Sequence, residues 1–402
     1  MRNYETGSGA GTCSRNRNKK TMFKHKRLID KTDELLKKQT GINKAYQKYI
    51  GKVCLEELFA TDAIYLSAVS CAQGFMDKKD TRKFMKNVWL NVHKLQKKVL
   101  SGSFVPTYRQ RRIISERGKL REIVPPTFEC KVFQKVICTY LIRPLLEPKM
   151  ISTSYASILG KGTEKMHRDI ISCLQKHEKD TGKCIVITDY VSYFASIEID
   201  LLMERLSRYI GDKRIIDLIR MFSPDKYGLP LGNELSQVPA SYYPSPVDHF
   251  IKDRLGIHEY FRYMDDTLAL IDIRNTEMYV KTIISESQKI GLKIHEENIQ
   301  IIPVGKPFIF CKERYLYNQN KQYYYRIINP QVVRNQLRKL KAYKSFYLKG
   351  KLDLEQIEMQ FKSVVGNIIA HPNTKKSADR LKKMFAEIKT TKGRTTKCAL
   401  IN

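Results

Sequence analysis

Two adjacent aspartates, Asp265 and Asp266, stand between two apolar, strand-like halves of residues 259–272. That pattern predicts a β-hairpin with both carboxylates at its tip. Neighbouring side chains on a strand point to opposite faces, but a tight turn can bring both near one point. Two anions held close repel each other unless something positive lies between them. Magnesium, a hard cation that prefers oxygen ligands, meets that need. A third carboxylate, Asp189, closes the apolar run Ile185-Val186-Ile187-Thr188, which reads as a buried strand. An aspartate at the end of a rigid strand suits a fixed ligand. Each aspartate alone reads as an ordinary turn or strand-end residue. The ordered set, strand–Asp and then hairpin–Asp–Asp, points to chemistry. Such carboxylates are natural holders for two magnesium ions about 3.5–4 Å apart, one activating a hydroxyl and one stabilising a leaving pyrophosphate.

Charge indicates the partner. Lys and Arg number 73 against 41 Asp and Glu, a formal net charge of +32. Self-repulsion of that size opposes folding, so a polyanion is expected, nucleic acid first and an anionic membrane surface second. The nine cysteines form no Cys-x-x-Cys pair, and several sit in apolar runs such as Cys184-Ile185-Val186-Ile187. They read as small core residues of a reduced protein. No apolar run reaches membrane-span length and no apolar signal core opens the chain, so a cytoplasmic location is expected.

Residues 27–100 read as helical from apolar spacings of three and four. Residues 104–106, 112–114 and 120–124 read as strands, with Arg117-Gly118-Lys119 as the turn between the last two. Residues 127–148 read as a helix, 183–191 as a buried strand, and 201–222 as one amphipathic helix. Residues 275–290 are helical in pattern. Strand-like stretches follow at 299–303, 307–311 and 322–328. Residues 330–388 are helical and very basic. Helices and strands mix without regular alternation, which favours an α+β fold over a doubly wound sheet.

The residues quoted so far, with several further blocks in order, resemble the bacterial reverse transcriptases of the retron, retroelement and phage-defence kind. The resemblance covers about residues 40–385 of the sequence. Asp189-Tyr190-Val191-Ser192-Tyr193-Phe194 is similar to the family's first carboxylate motif, and Tyr263-Met264-Asp265-Asp266 to its second. Between them, the stretch from Gly228-Leu229-Pro230-Leu231-Gly232 to Ser236-Gln237 resembles its glycine-rich template and nucleotide loop. Gly118-Lys119-Leu120-Arg121 resembles its fingers hairpin, and Ser154-Tyr155-Ala156-Ser157 begins a block typical of bacterial members.

The resemblance implies a right-hand polymerase with fingers, a palm of antiparallel sheet plus helices, and a helical thumb. Its divisions would be a flexible basic tail over 1–26, N-terminal helices and fingers over 27–180 interleaved with the palm, palm over 181–328, thumb over 329–390 and a tail over 391–402. It implies catalytic Asp189, Asp265 and Asp266, and a set for two Mg2+ ions of Asp189, Tyr190, Asp265 and Asp266. Lys119 and Arg121 would meet the nucleotide triphosphate, Arg binding two oxygens at once. Phe194 would wall the sugar against a 2′-hydroxyl and so select deoxynucleotides. Gly232 would allow close backbone approach, and Gln237 would bond the template. Tyr263, Met264, Arg334, Arg338 and Lys341 would contact nucleic acid, the last three as a basic stripe along a helix.

The implied partners are an RNA template, a DNA product, dNTPs and an accessory protein or dedicated non-coding RNA. The implied function is RNA-directed DNA synthesis in anti-phage defence. Three rivals stand beside it: a diversity-generating retroelement enzyme, template-independent or protein-primed synthesis, and a non-catalytic, maturase-like RNA-binding protein. Leu231 stands where many relatives have Gln, and Asn298 where many have a Lys thought to protonate pyrophosphate. Lys293 or His295 is the candidate substitute for that Lys. Pro239, Pro244 and Pro246 predict an interrupted helix after Gln237.

Overall fold

The computed structural model describes residues 50–390, except 111, 117–118, 181, 351 and 370–373. The expected basic tail over 1–26, most of the turn at 117–119 and the tail over 391–402 lie outside the described residues. The chain divides into two compact units. The first holds the described residues up to Met166, with Thr188–Thr267 and Glu277–Asn298; the second holds His167–Ile187, Leu268–Thr276 and the described residues from Ile299 onward.

The N-terminal part of the first unit is helical. It includes α1 (Thr61–Ala72) and α2 (Val88–Leu100), followed by an antiparallel hairpin of β1 (Arg112–Glu116) and β2 (Lys119–Ile123). The stretch expected as a strand at 104–106 is not one. Phe104 instead stacks on Phe133 at 4.1 Å between ring centres, and Phe133 stacks on Phe222 at 5.4 Å, making an aromatic core. Helix α3 (Phe128–Ile137) starts at Thr127, whose hydroxyl accepts from the Cys130 N–H, a standard N-cap. A π-turn over Cys138–Ile142 follows, just before Pro144. The missing N–H of Pro144 accounts for the wider turn.

Further along come α4 (Thr163–Lys176), β3 (Lys183–Thr188) and α5 (Glu234–Tyr242). The expected single helix over 201–222 is two, Ile199–Ser207 and Lys213–Arg220. Asp212 causes the break, because its carboxylate accepts from Arg214 N–H at 3.0 Å and from Leu55 N–H at 2.9 Å. The expected interruption after Gln237 does not occur at Pro239, which lies inside α5; the helix stops before Pro244 instead.

β4 (Tyr260–Tyr263) and β5 (Asp266–Asp272) form the expected hairpin, and α6 (Thr276–Gln288) follows. With β3 and β6 (Gln300–Pro303) they make a sheet in the order β4-β5-β3-β6. In the second unit, β7 (Phe308–Phe310), β8 (Glu313–Asn318) and β9 (Tyr323–Ile328) form an antiparallel sheet. Phe308 and Tyr315 are cross-strand partners whose rings stack at 4.5 Å. The second unit ends in α7 (Pro330–Leu348), α8 (Leu354–Ile369) and α9 (Lys375–Thr390). Their core includes Val333, Leu337, Leu340, Ile357, Phe361, Leu381 and Phe385, with Phe361 and Phe385 stacked at 4.0 Å. Among the described residues no helix is long and apolar enough to cross a membrane.

Candidate active site

β3 is buried from Cys184 to Thr188, as its β-branched sequence requires, and Asp189 emerges half-buried at its end. The distant segment 293–295 holds Asp189 in place through its backbone. The His295 N–H donates to the Asp189 carbonyl at 2.9 Å, the Val191 N–H donates to the Lys293 carbonyl at 2.8 Å, and Tyr190 bridges Ile294 between them. Lys293 and His295, the residues named as substitutes for a Lys at 298, therefore flank the Asp189 backbone on its paired segment. Tyr190 is 5% exposed and its hydroxyl lies 3.4 Å from the Ser287 hydroxyl. Burial pushes its phenol up to about 12. A neutral, buried phenol is no cation ligand, so any contribution of Tyr190 to a metal comes through its main chain.

Thr188 and Thr267 are both buried, and their hydroxyls lie 2.6 Å apart. One precedes Asp189 and the other follows Asp266, so this contact joins the two strand ends that carry these residues. Met264, in the turn between β4 and β5, has φ +55°. Left-handed backbone is costly for a side chain of this kind and marks a turn held by its surroundings. Asp265 and Asp266 are both half-buried. Ser192, just after the Asp189 motif, and Ser157 are also left-handed, at φ +46° and +57°.

The loop residues converge on the same unit. Leu229 N–H donates to the Phe194 carbonyl at 2.8 Å. A Cβ on Gly228 would lie 3.6 Å from Ala195 Cα, and Gly228 has φ +97°. Phe194 itself is half-buried and packs edge-on against Tyr193. Gly232 has φ +92°, and a Cβ there would come within 3.3 Å of Ile123 Cγ2 at the end of β2. The glycine loop therefore sits against the strand that carries Lys119 and Arg121, which are two positions apart and pair with Glu116 and Ile114. Gln237 is half-buried on α5, and its Oε1 accepts from the Ser157 hydroxyl at 3.5 Å.

Sequence reasoning missed several supporting residues. Gln134, 1% exposed on the apolar face of α3, offers its Oε1 to the Glu234 N–H at 2.8 Å and so caps α5. A polar amide inside an apolar helical pattern was the available signal. Arg262 and Asp248, both fully buried, pair at 2.7 Å directly before the Tyr263–Asp266 string. In the second unit, Arg334, Arg338 and Lys341 are exposed at spacings of four and three on α7, while Val333, Leu337 and Leu340 are buried. The basic stripe thus takes the solvent face of a helix anchored by its apolar one.

Among the described residues, no three His, Cys, Asp or Glu side chains form a ready metal cage. This donor set still fits magnesium, which is usually held by one or two carboxylates with the rest of its shell from substrate phosphates and water. Half-buried rather than enclosed, these carboxylates are compatible with such a shell.

The family model for reverse transcriptase (RNA-dependent DNA polymerase) matches residues 109–328, more than half the chain. That span contains all three acidic positions, the glycine loop and the β1-β2 hairpin. The chain is also 20% identical over 283 residues to Protein YkfC of Escherichia coli (strain K12), covering 58% of this chain and 74% of that protein. Matched across both carboxylate motifs and the sheet that carries them, the chain belongs to the reverse transcriptase family and is an RNA-directed DNA polymerase, a nucleotidyltransferase.

Proposed function

We propose that the chain copies an RNA template into DNA by two-metal nucleotidyl transfer, with Asp189, Asp265 and Asp266 as the carboxylates that bind two Mg2+ ions. The observation that supports this reading is the Thr188–Thr267 contact, which joins the strand ends that carry Asp189 and Asp266. Magnesium, when bound, supplies the positive charge that favours ionisation of the primer 3′-hydroxyl and stabilises the leaving pyrophosphate. The protein's own part is to hold the carboxylates rigidly and to orient the nucleotide. Lys119 and Arg121 on β2 bind the triphosphate, and Gly232 lets the nucleotide's base pair approach the backbone. Phe194 stands beside the loop where a sugar would lie and excludes a 2′-hydroxyl. Gln237 and the Tyr263-Met264 turn meet the nucleic acid strands.

In this reading β1-β2 with the N-terminal helices are the fingers, the β4-β5-β3-β6 sheet with its helices is the palm, and α7–α9 are the thumb. Arg334, Arg338 and Lys341 on α7 grip the backbone of the hybrid without reading sequence. The biological setting we propose is anti-phage defence on a dedicated non-coding RNA. Support for it comes from the resemblance and from Leu231 and Asn298, where the sequence departs from many relatives. A primer-extension assay on RNA and DNA templates tests the activity, with Asp265→Asn as the control. Sequencing the nucleic acid that copurifies with the protein tests the template assignment.

A further inference from the structure

We infer that Arg262 is a positioning residue for polymerisation, whose guanidinium fixes the turn at Met264 and thereby the placement of Asp265. This rests on the reading of Asp265 and Asp266 as the metal-binding carboxylates. Arg262 is the largest fully buried side chain in the described residues, and its partner Asp248 is equally buried. Its Nε donates to both Asp248 oxygens at 2.9 Å, and Tyr260 donates its hydroxyl to Asp248 Oδ1 at 3.0 Å. Nη2 also pairs with Asp248 Oδ2 at 2.7 Å, and both terminal nitrogens have further partners. Nη2 donates to the Ser241 carbonyl at 2.7 Å, and Nη1 donates to the Met264 carbonyl at 3.3 Å.

The Met264 carbonyl belongs to the peptide whose nitrogen is that of Asp265. Holding that oxygen fixes the peptide plane from which Asp265 departs. The turn needs a hold, because Met264 sits at φ +55° where a glycine would rest without strain. Ser241 lies on α5, one turn beyond Gln237, and its hydroxyl contacts both the Ala156 carbonyl at 2.7 Å and Met264 Sδ at 3.6 Å. The Arg262 backbone is tied as well, by N–H to the Thr153 carbonyl at 3.0 Å and by its own carbonyl to Tyr155 N–H at 3.1 Å. Arg262 thus joins the carboxylate turn and the α5 helix through its side chain, and the segment around Ser154 through its backbone.

A purely stabilising role explains this arrangement poorly. A buried ion pair is often no more stable than an apolar pair of the same volume, because both charges lose their water. Burial disfavours the Arg262 charge, but the Asp248 carboxylate more than offsets that and holds the guanidinium firmly protonated. What an apolar pair cannot supply is a planar fork with several donors, aimed at two carbonyls from two elements.

The experiment compares wild type with Arg262→Lys for thermal midpoint, primer–template Kd, kcat, KM for dNTP and the Mg2+ concentration giving half-maximal rate. Lysine keeps the charge beside Asp248 but gathers its donors on one nitrogen, which cannot span Asp248 and both carbonyls as the three guanidinium nitrogens do. The expected result is unchanged primer–template Kd with kcat lowered by up to about 100-fold, the scale that a misplaced reacting group costs, and a several-fold higher Mg2+ requirement. Wild-type kcat and Mg2+ requirement in folded Arg262→Lys would overturn the proposal.

A double-mutant cycle carries the test should that variant fail to fold. Asp248→Asn, which loosens the guanidinium, should lower kcat in wild type and leave it nearly unchanged in a Met264→Gly background, where the turn needs no hold. Equal losses in both backgrounds contradict the inference. Asp265→Asn separates the two readings: if it still synthesises DNA, the carboxylate assignment has failed; if it is dead while the Arg262 and Asp248 variants behave as wild type, only the positioning role has failed.

Discussion

The buried hydroxyls of Thr188 and Thr267 lie 2.6 Å apart, and each threonine is the chain neighbour of an acidic residue, Asp189 or Asp266. A hydrogen bond between two buried side chains at strand ends resists separation of those ends. Thr267→Val keeps the shape and removes the hydroxyl, leaving that of Thr188 unsatisfied at a cost of about 1–2 kcal/mol. A lower thermal midpoint is expected, together with a raised Mg2+ requirement in primer extension. A melt and a Mg2+ titration on the same preparation measure both. A valine variant with wild-type values for both would remove this contact from the account of the site.

Sugar selection provides a second test. Phe194 is tied to the glycine loop through its carbonyl and the Leu229 N–H. Phe194→Ala opens the space where a 2′-hydroxyl would clash. Discrimination between dNTP and rNTP, read as the ratio of kcat/KM values, should fall by at least about 10-fold, the lower range for pocket-shape discrimination. The thermal midpoint should fall less than for a core aromatic, since Phe194 is half-buried. An unchanged ratio would mean that another residue walls the sugar.

Gly232 links the loop to the β1-β2 hairpin. Its φ of +92° and the 3.3 Å approach of an added Cβ to Ile123 make Gly232→Ala strained in both backbone and packing. A loss above about 1 kcal/mol in stability is expected from the backbone alone. In steady-state kinetics KM for dNTP should rise, because the loop is pushed off the strand bearing Lys119 and Arg121. Normal KM with reduced stability would limit Gly232 to a folding role.

Much of this site was legible in the sequence. The β-branched run 185–188 had to be a buried strand, and the apolar halves around Met264 had to pair. The order of motifs then singled out Asp189, Asp265 and Asp266 as the carboxylates we propose. What stayed hidden depends on contacts between distant residues. Arg262 and Asp248 carry no signal in the sequence, because nothing local announces that each will neutralise the other inside the core. The same cause hid β8, where Glu313 is buried beside Arg326 and breaks the apolar alternation. Pro239 predicts a break because its missing N–H costs a helical bond, yet it lies inside α5 among buried residues. The division at 207–213 could have been read from Asp212, which caps the second helix.

The α7 stripe predicts a salt effect. Arg338→Ala and Lys341→Ala each remove an exposed charge while the buried face of Val333, Leu337 and Leu340 is untouched. Stability should stay within about 0.5 kcal/mol of wild type, as for other surface changes. Each variant should reduce the slope of log K against log salt by about 1 for an RNA–DNA hybrid, uniformly across sequences. A slope equal to that of wild type would take these residues out of the nucleic-acid contact.

The most direct test of the central claim is the rate of dNTP incorporation by Asp265→Asn on a primed RNA template, measured beside its affinity for that template. The variant keeps the size of the side chain and removes the charge. Synthesis should fall below detection, a loss of about 1,000-fold or more on the scale of removing one catalytic electrostatic contact, while RNA binding stays at the wild-type level. Continued synthesis at a comparable rate would contradict the assignment of Asp189, Asp265 and Asp266 as the centre of the enzyme.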